Sequence, residues 1–277
     1  MPIGQTLTTA LAEVLRVDCA QDKAIAVRQL VAQWQDGSFT TIGKTTPPAR
    51  PGRPERPQLR PPREVPRRRI TKTPDGRIAL VHAIAHIELN AIDLALDMAC
   101  RYVAHRLPRD FYTDWLSVAD DEARHFLMLC DRLAELDASY GDLPAHDGLW
   151  QAAQETADDF LGRLAIAPLV LEARGLDVTP AMIDRLQSVD DAQTAAAFTI
   201  IMNDEIGHVA IGKQWFDYVW GMERRDPVST WHQLVGTYFR GPLKPPFNIA
   251  ARTAAKFSAA FYAPMAERTD LYDSPRR

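Results

Sequence analysis

The sequence is poor in cysteine, and its three cysteines are far apart. Cys19, Cys100 and Cys130 form no CxxC pair, which argues against both a zinc ribbon and a disulfide framework. We therefore expect all three side chains to be small buried residues and not reactive thiols.

Long apolar runs and a surplus of positive charge are also missing. The 277 residues are 46% hydrophobic and 25% charged, with a formal net charge of −4. This balance gives no general attraction to nucleic acid or to an anionic membrane. The apolar runs are short and interrupted by charges, and the N-terminus has no basic leader or small-residue cleavage site. We expect a soluble, cytoplasmic protein with no membrane partner.

Alternation of apolar and polar residues, the pattern of a β-sheet, is absent as well. Instead, helical spacing of apolar residues predicts four long helices, at about 78–105, 108–138, 150–174 and 190–220, with a short helix from Thr179-Pro180 to about 187. Gly175 is the predicted end of the third long helix. Long helices joined by short loops predict an all-α fold built on an antiparallel four-helix bundle.

Changes in composition divide the chain into four regions. Residues 1–43 are predicted as a helical hairpin, with helices at about 4–16 and 21–34. The region 44–75 is an arm rich in proline and arginine, which we expect to be extended before a turn at Asp75-Gly76. Residues 76–220 are the bundle, and 221–277 are a C-terminal extension with one further helix at about 248–262.

Two of the long helices carry the same motif, Asp-Glu-x-x-His, at residues 121–125 and 204–208. On a helix, residues three apart lie on one face, so Glu122 with His125 and Glu205 with His208 can each point at one target. About 0.3 Glu-x-x-His pairs are expected by chance from this composition, and two occur. The motif therefore indicates a metal site.

The other two long helices each place one acid on an apolar stripe, Glu88 and Glu172. A lone buried carboxylate costs several kcal/mol, which a divalent cation can return. Glu88 precedes Glu122 by 34 residues and Glu172 precedes Glu205 by 33, so the first helical hairpin repeats as the second. His82 and His86 lie on faces rotated away from Glu88, and we interpret them as core or surface histidines.

These six residues match the ligand set of the ferritin-like di-iron and di-manganese carboxylate superfamily, which the chain resembles over about residues 76–220. The segments VLEARGLDVTP and NDEIGHVAIG are similar to a bacterial ferritin-like family of unassigned function, and more distantly to tRNA-modifying di-iron hydroxylases. The resemblance implies two iron ions, with manganese or mixed iron and manganese as alternatives. It implies that Glu122 and Glu205 bridge the metals, that Glu88 and His125 bind one of them, and that Glu172 and His208 bind the other.

Asp121 and Asp204 each precede a ligand glutamate, and a metal-bound histidine usually donates its second N–H to a carboxylate. We predict that Asp121 accepts from His208 and Asp204 from His125; the alternative is a pair of salt-bridged surface acids.

The ligand set predicts an O2-activating oxidoreductase whose partners are dioxygen and an unidentified small or tethered substrate. The long segments outside the bundle disfavour an iron-storage cage, and the missing CxxC pair disfavours rubrerythrin-like peroxide reduction. A binding or scaffold protein braced by metal remains the alternative function. For the oligomeric state, a homodimer remains open. RNA docking on the basic arm is disfavoured, because residues 44–72 include no aromatic residue for base stacking.

Overall fold

The computed structural model describes residues 5–65, 69–221 and 226–267, and over these ranges the protein is helical. A single isolated bridge between Leu59 and Ala145 is the only β-type pairing in the described ranges. The helices are α1 (Leu7–Leu15), α2 (Ala20–Gln35), α3 (Pro74–Arg101), α4 (Arg109–Glu135), α5 (Gly148–Glu155), α6 (Phe160–Ile166), α7 (Ala173–Gln187), α8 (Ala192–Trp220), α9 (Pro227–Tyr238), α10 (Ile249–Ala254) and α11 (Ala259–Ala266). The predicted all-α class is confirmed.

The chain forms two compact units. The first comprises Met1–Trp150 with Arg185–Ala197, and the second comprises Gln151–Asp184 with Phe198–Arg277.

In the first unit, α3 and α4 form a hairpin, and α1 and α2 pack against it. Helix α3 is long and apolar enough to cross a membrane, but 78% of its apolar window is buried inside the protein. It is therefore packed as a core helix of the first unit. Its partner α4 is amphipathic and buries Trp115, Phe126 and Leu129 on one face.

The proline-rich arm lies along the first unit. Residues 44–65 contain no helix except one 3-10 turn at Pro62–Glu64, as their proline content requires. The Gly52 amide donates to Leu15 O at 2.7 Å, and the Arg60 amide donates to Ala145 O at 2.8 Å. Some predicted regions lie in part outside the described residues: 1–4 of the predicted hairpin, 66–68 of the predicted arm, and 222–225 and 268–277 of the predicted C-terminal extension.

A buried ion cluster ties the arm to this unit. The Lys23 ammonium of α2 donates to Asp93 Oδ1 and to Gly52 O, both at 2.8 Å, and the Arg53 guanidinium lies 2.9 Å from Asp93 Oδ2. Asp93 is fully buried and Lys23 is 1% exposed. One carboxylate of α3 thereby forms ion pairs with cations from both α2 and the arm.

The core of the second unit is aromatic. Trp231 of α9 packs against Phe257 and Phe261 and donates its indole N–H to Ala165 O at 3.3 Å. Arg252 of α10 donates to Asp177 of α7 at 2.7 and 2.9 Å, so a buried ion pair fastens the C-terminal helices to α7.

Several predicted boundaries are wrong. Asp75 and Gly76 form the first turn of α3, because Pro74 is at a first-turn position where its missing N–H costs nothing. The predicted helix 248–262 is two short helices, α10 and α11, because Lys256 adopts a left-handed φ of 58°.

The predicted helix 150–174 differs from the structure in two ways: it has a break near its start, and the helical segment extends beyond its predicted end. It is interrupted after Glu155 and restarts at Phe160, where the Asp159 side chain accepts from the Gly162 amide at 2.8 Å. It does not stop at Gly175, because α7 runs through Gly175 and Pro180 to Gln187. The buried side chains of Leu176 and Leu186 show that packing of this helix overrides both signals.

Removing the Asp93 carboxylate should strongly destabilise the fold. We expect Asp93→Ala to lower the free energy of unfolding by about 3–5 kcal/mol, because it leaves the buried Lys23 and the partly buried Arg53 without their counter-ion. Urea denaturation measures this loss. The matched control is Asp120→Ala, which removes an ion pair with Arg28 whose side chains are 46% and 31% exposed and should cost at most about 1 kcal/mol. Equal losses for the two variants would contradict the assignment.

Candidate metal centre

The first unit brings together three of the predicted ligands. Glu88 lies in the middle of α3, is 2% exposed, and is flanked on its own face by the buried side chains of Ala85 and Ile92. Glu122 and His125 are one turn apart on α4, and both are fully buried. The His125 Nδ1 atom is 3.1 Å from Glu88 Oε2 and 3.5 Å from Glu122 Oε2. One ligand atom from each residue lies within 4.8 Å of the other two, so a single cation could contact all three.

The electrostatics of this cluster favour the protonated forms of Glu88 and His125. Burial, reinforced by the neighbouring Glu122 carboxylate, raises the pKa of Glu88 well above its usual value. Burial alone would lower the pKa of His125, but hydrogen bonds to Glu122 and Glu88 outweigh it and raise that pKa to about 11. A divalent cation would replace these protons and supply the same positive charge.

The second unit carries the other three predicted ligands. Glu205 and His208 are one turn apart on α8, with side chains 12% and 2% exposed and a distance of 3.6 Å from His208 Nδ1 to Glu205 Oε2. Glu172 is partly buried and is the last residue of a π-helical segment, Ala167–Glu172, that joins α6 to α7. Single π-helical turns often occur at functional sites because they redirect one side chain.

The two aspartates before the ligand glutamates are partly exposed. Asp121 accepts from the Arg124 guanidinium at 2.9 Å, and the two side chains are 33% and 35% exposed. Position 207, which corresponds to Arg124 in the second motif, is a glycine, so the motif around Asp204 offers no equivalent cation. The hydrogen bonds proposed from these aspartates to the ligand histidines stay a prediction.

His82 and His86 are core histidines, in agreement with their rotated faces on α3. His82 Nε2 accepts the Gly141 amide at 2.9 Å, and burial lowers the pKa of His82 to about 4. His86 contacts the Tyr140 hydroxyl at 2.8 Å and His146 O at 3.2 Å, and burial lowers its pKa to about 3. Both rings stack on Tyr140.

Sequence reasoning did not identify the polar neighbours of the site on α3. Asn90 accepts from Arg53 at 2.7 Å and donates to His86 O at 2.6 Å, and Asp93 lies one turn further along. The one available signal was the presence of Asn90, Asp93 and Asp97 in a helix that is long and apolar enough to cross a membrane. A buried polar residue needs a partner, but the sequence does not say which one.

A family model described as "Protein of unknown function (DUF455)" matches residues 16–263. An uncharacterized protein of Haemophilus influenzae is 40% identical over 210 residues, which are 74% of this chain and 73% of the relative. No solved structure matches the chain. Neither the family nor this relative has an assigned activity.

The stability of the metal-free protein should fall as the pH rises above about 6.5. The unfolded chain releases the His125 proton near 6.5, whereas the folded protein keeps it to about 11, so the folded state binds more protons throughout this window. The His125 proton alone contributes a loss of about 1.4 kcal/mol per pH unit to this fall. Urea unfolding at several pH values between these limits measures the slope.

The variant His125→Gln should have a shallower slope than the wild type. As a control, His82→Gln should keep the wild-type slope, because His82 with a pKa of about 4 is neutral over the same range. A wild-type slope in His125→Gln would show that His125 does not hold this proton.

Proposed function

Because the chain belongs to the DUF455 family, whose description assigns no function, we propose a function from the site alone. We propose a non-haem carboxylate protein that binds two iron ions, or iron and manganese, and activates dioxygen to oxidise or oxygenate a small or tethered substrate in the cytoplasm. The observation that carries this proposal is the buried contact of Glu88, Glu122 and His125 across two adjacent helices.

The donors of this cluster fit such a metal. Two buried carboxylates side by side repel each other once ionised, and a divalent cation between them removes that repulsion. Calcium and magnesium prefer oxygen ligands alone, whereas mixed carboxylate and imidazole ligands suit iron or manganese. The choice between these two metals rests on the resemblance to di-iron proteins.

Repetition of the motif supports a second ion. The second unit carries the same Glu and Glu-x-x-His elements at nearly the same spacing, and His208 is as deeply buried as Glu88. We propose that the helical segments bearing the ligands form a ferritin-like bundle in which Glu122 and Glu205 bridge the two ions. Glu88 and His125 would then be terminal ligands of one ion, and Glu172 and His208 those of the other.

Bound in this way, two ferrous ions would supply the electrons that reduce dioxygen. The side chains would hold the ions and limit access of water. The raised pKa values of Glu88 and His125 also allow these groups to give up protons when metal binds and to take them back when it leaves.

Two other functions stay open. A metal-braced scaffold would use the same ligands without redox chemistry. A tRNA-modifying hydroxylase would use the basic arm, on which Arg56, Arg60 and Arg63 are exposed. An observation against RNA docking is that Arg50 and Arg53 form ion pairs with Asp147 and Asp93, as expected of an arm that is held on the protein by its arginines.

The purified protein should contain about two transition-metal ions per chain by elemental analysis. Glu122→Ala and Glu205→Ala should each lose both ions, because each carboxylate is proposed to bridge. The matched control is Glu135→Ala on the same helix as Glu122; its side chain is 54% exposed and pairs with Arg132, so both ions should stay. Full occupancy in either bridging variant would refute the bridging assignment.

The oxygen reaction separates the enzyme from the scaffold. Protein loaded with ferrous iron without oxygen and then mixed with oxygenated buffer in a stopped-flow spectrometer should show a fast absorbance change. The Glu122→Ala variant should not show it. A loaded wild-type protein that gives no fast change would favour the scaffold.

Losing Asp121 or Asp204 should weaken metal affinity by about 10–100-fold without unfolding the protein, because each is proposed to orient a ligand histidine. Asp→Asn keeps an acceptor but not the charge, so it should cost less affinity than Asp→Ala. Competition with a chelator measures the affinity. Unchanged affinity in both alanine variants would leave these residues as surface acids.

A further inference from the structure

Glu172 differs from the other five proposed ligands because it ends a π-helical segment and not a regular helix. Pro168 is the second residue of this segment. A proline within a helix removes one hydrogen bond, and its ring clashes with the carbonyl four residues earlier. The wider π-helical turn accommodates that ring, and it shifts every following side chain around the helix axis.

Gly212 of α8 lies directly against Pro168. A methyl group added at Gly212 would place its carbon 2.2 Å from Pro168 Cβ and 2.5 Å from Pro168 Cγ. Carbon atoms do not approach this closely without a bond, so only glycine permits the two segments to lie at this distance. Gly212 is buried, and its contact is with the rigid ring of Pro168 and not with the end of a flexible side chain.

The spacing of residues connects this contact with the proposed ligands. Glu205, His208 and Gly212 are separated by three and four residues, so they lie on one face of α8. Glu172 follows Pro168 by four residues, about one turn of the π-helical segment. A short connection at 188–191 makes α7 and α8 antiparallel neighbours. A step of one turn toward the C-terminus from Pro168 therefore corresponds to a step of one turn toward the N-terminus from Gly212. That step brings Glu172 opposite His208.

We propose that Gly212 and Pro168 form a positioning contact that sets the π-helical segment and thereby directs Glu172 toward Glu205 and His208. Neither residue touches the metal. The pair determines how closely the segment bearing Glu172 approaches the helix bearing the other two ligands. This inference rests on the proposed function for the role of Glu172, but the contact itself can be tested without metal.

The test uses Gly212→Ala with Gly207→Ala as the matched control. Both changes raise helix propensity in α8, but the methyl group at Gly207 points into open space with nothing within 4 Å. The first measurement is hydrogen–deuterium exchange of the metal-free full chain. The amides of residues 167 and 169–173 should exchange faster in Gly212→Ala than in the wild type, and Gly207→Ala should match the wild type over the same residues.

The second measurement is metal titration. Gly212→Ala should bind one ion with wild-type affinity and the second about 10-fold or more weaker, and it should match Glu172→Ala. If Gly212→Ala does not fold, Pro168→Ala removes the ring carbon Cγ from the same contact and should change both measurements in the same direction.

The outcomes separate the two proposals. Faster exchange at 167–173 together with a weakened second ion supports the positioning contact. Unchanged exchange overturns it, and so does faster exchange with two ions bound at wild-type affinity. A wild-type protein that binds no transition metal overturns the proposed function and the positioning of a ligand, while faster exchange in Gly212→Ala would still establish the contact.

Discussion

Two carboxylates buried side by side must either keep a proton between them or share a cation, and Glu88 and Glu122 are under this constraint. Both lie inside the first unit beside the fully buried His125. Ionising both without a partner would cost several kcal/mol, a large part of the stability of an ordinary domain. Without a cation, the raised pKa values of Glu88 and His125 mean that both groups hold protons at pH values where exposed groups of their kind release them. The packing of α3 against α4 thus requires a proton or a cation that compensates the charge of the Glu88 and Glu122 carboxylates.

The other buried acids of helix α3 are compensated in a different way. The helix is apolar enough to cross a membrane, yet it carries Glu88, Asn90, Asp93 and Asp97 in its buried part. Arg101 neutralises Asp97 at 2.7 Å, and Lys23 and Arg53 neutralise Asp93. These partners are cations fixed by the fold, whereas Glu88 faces another acid and a histidine. That difference is the physical reason for regarding Glu88 as a ligand and Asp93 as a structural residue.

The sequence predicted the all-α class and the long helices, since apolar spacing over 28 or 29 residues is a strong signal. It also identified the Glu122–His125 pair, since three-residue spacing on a helix fixes a shared face. It failed at Gly175 and Pro180, because buried leucines keep α7 helical through both. It could not predict the ion cluster of Lys23, Arg53 and Asp93, because that cluster depends on how the arm folds back on α2 and α3. The sequence also could not predict the contact of Gly212 with Pro168, since 44 residues separate the two in the chain.

The most direct test of the central claim is anomalous diffraction from crystals of the purified protein, recorded on both sides of the iron and manganese absorption edges. The proposed centre predicts two peaks about 3.5–4 Å apart, one bound by Glu88 and His125 and the other by Glu172 and His208, with Glu122 and Glu205 between them. Crystals of protein incubated with ferrous iron that show no anomalous peak at these six side chains would contradict it.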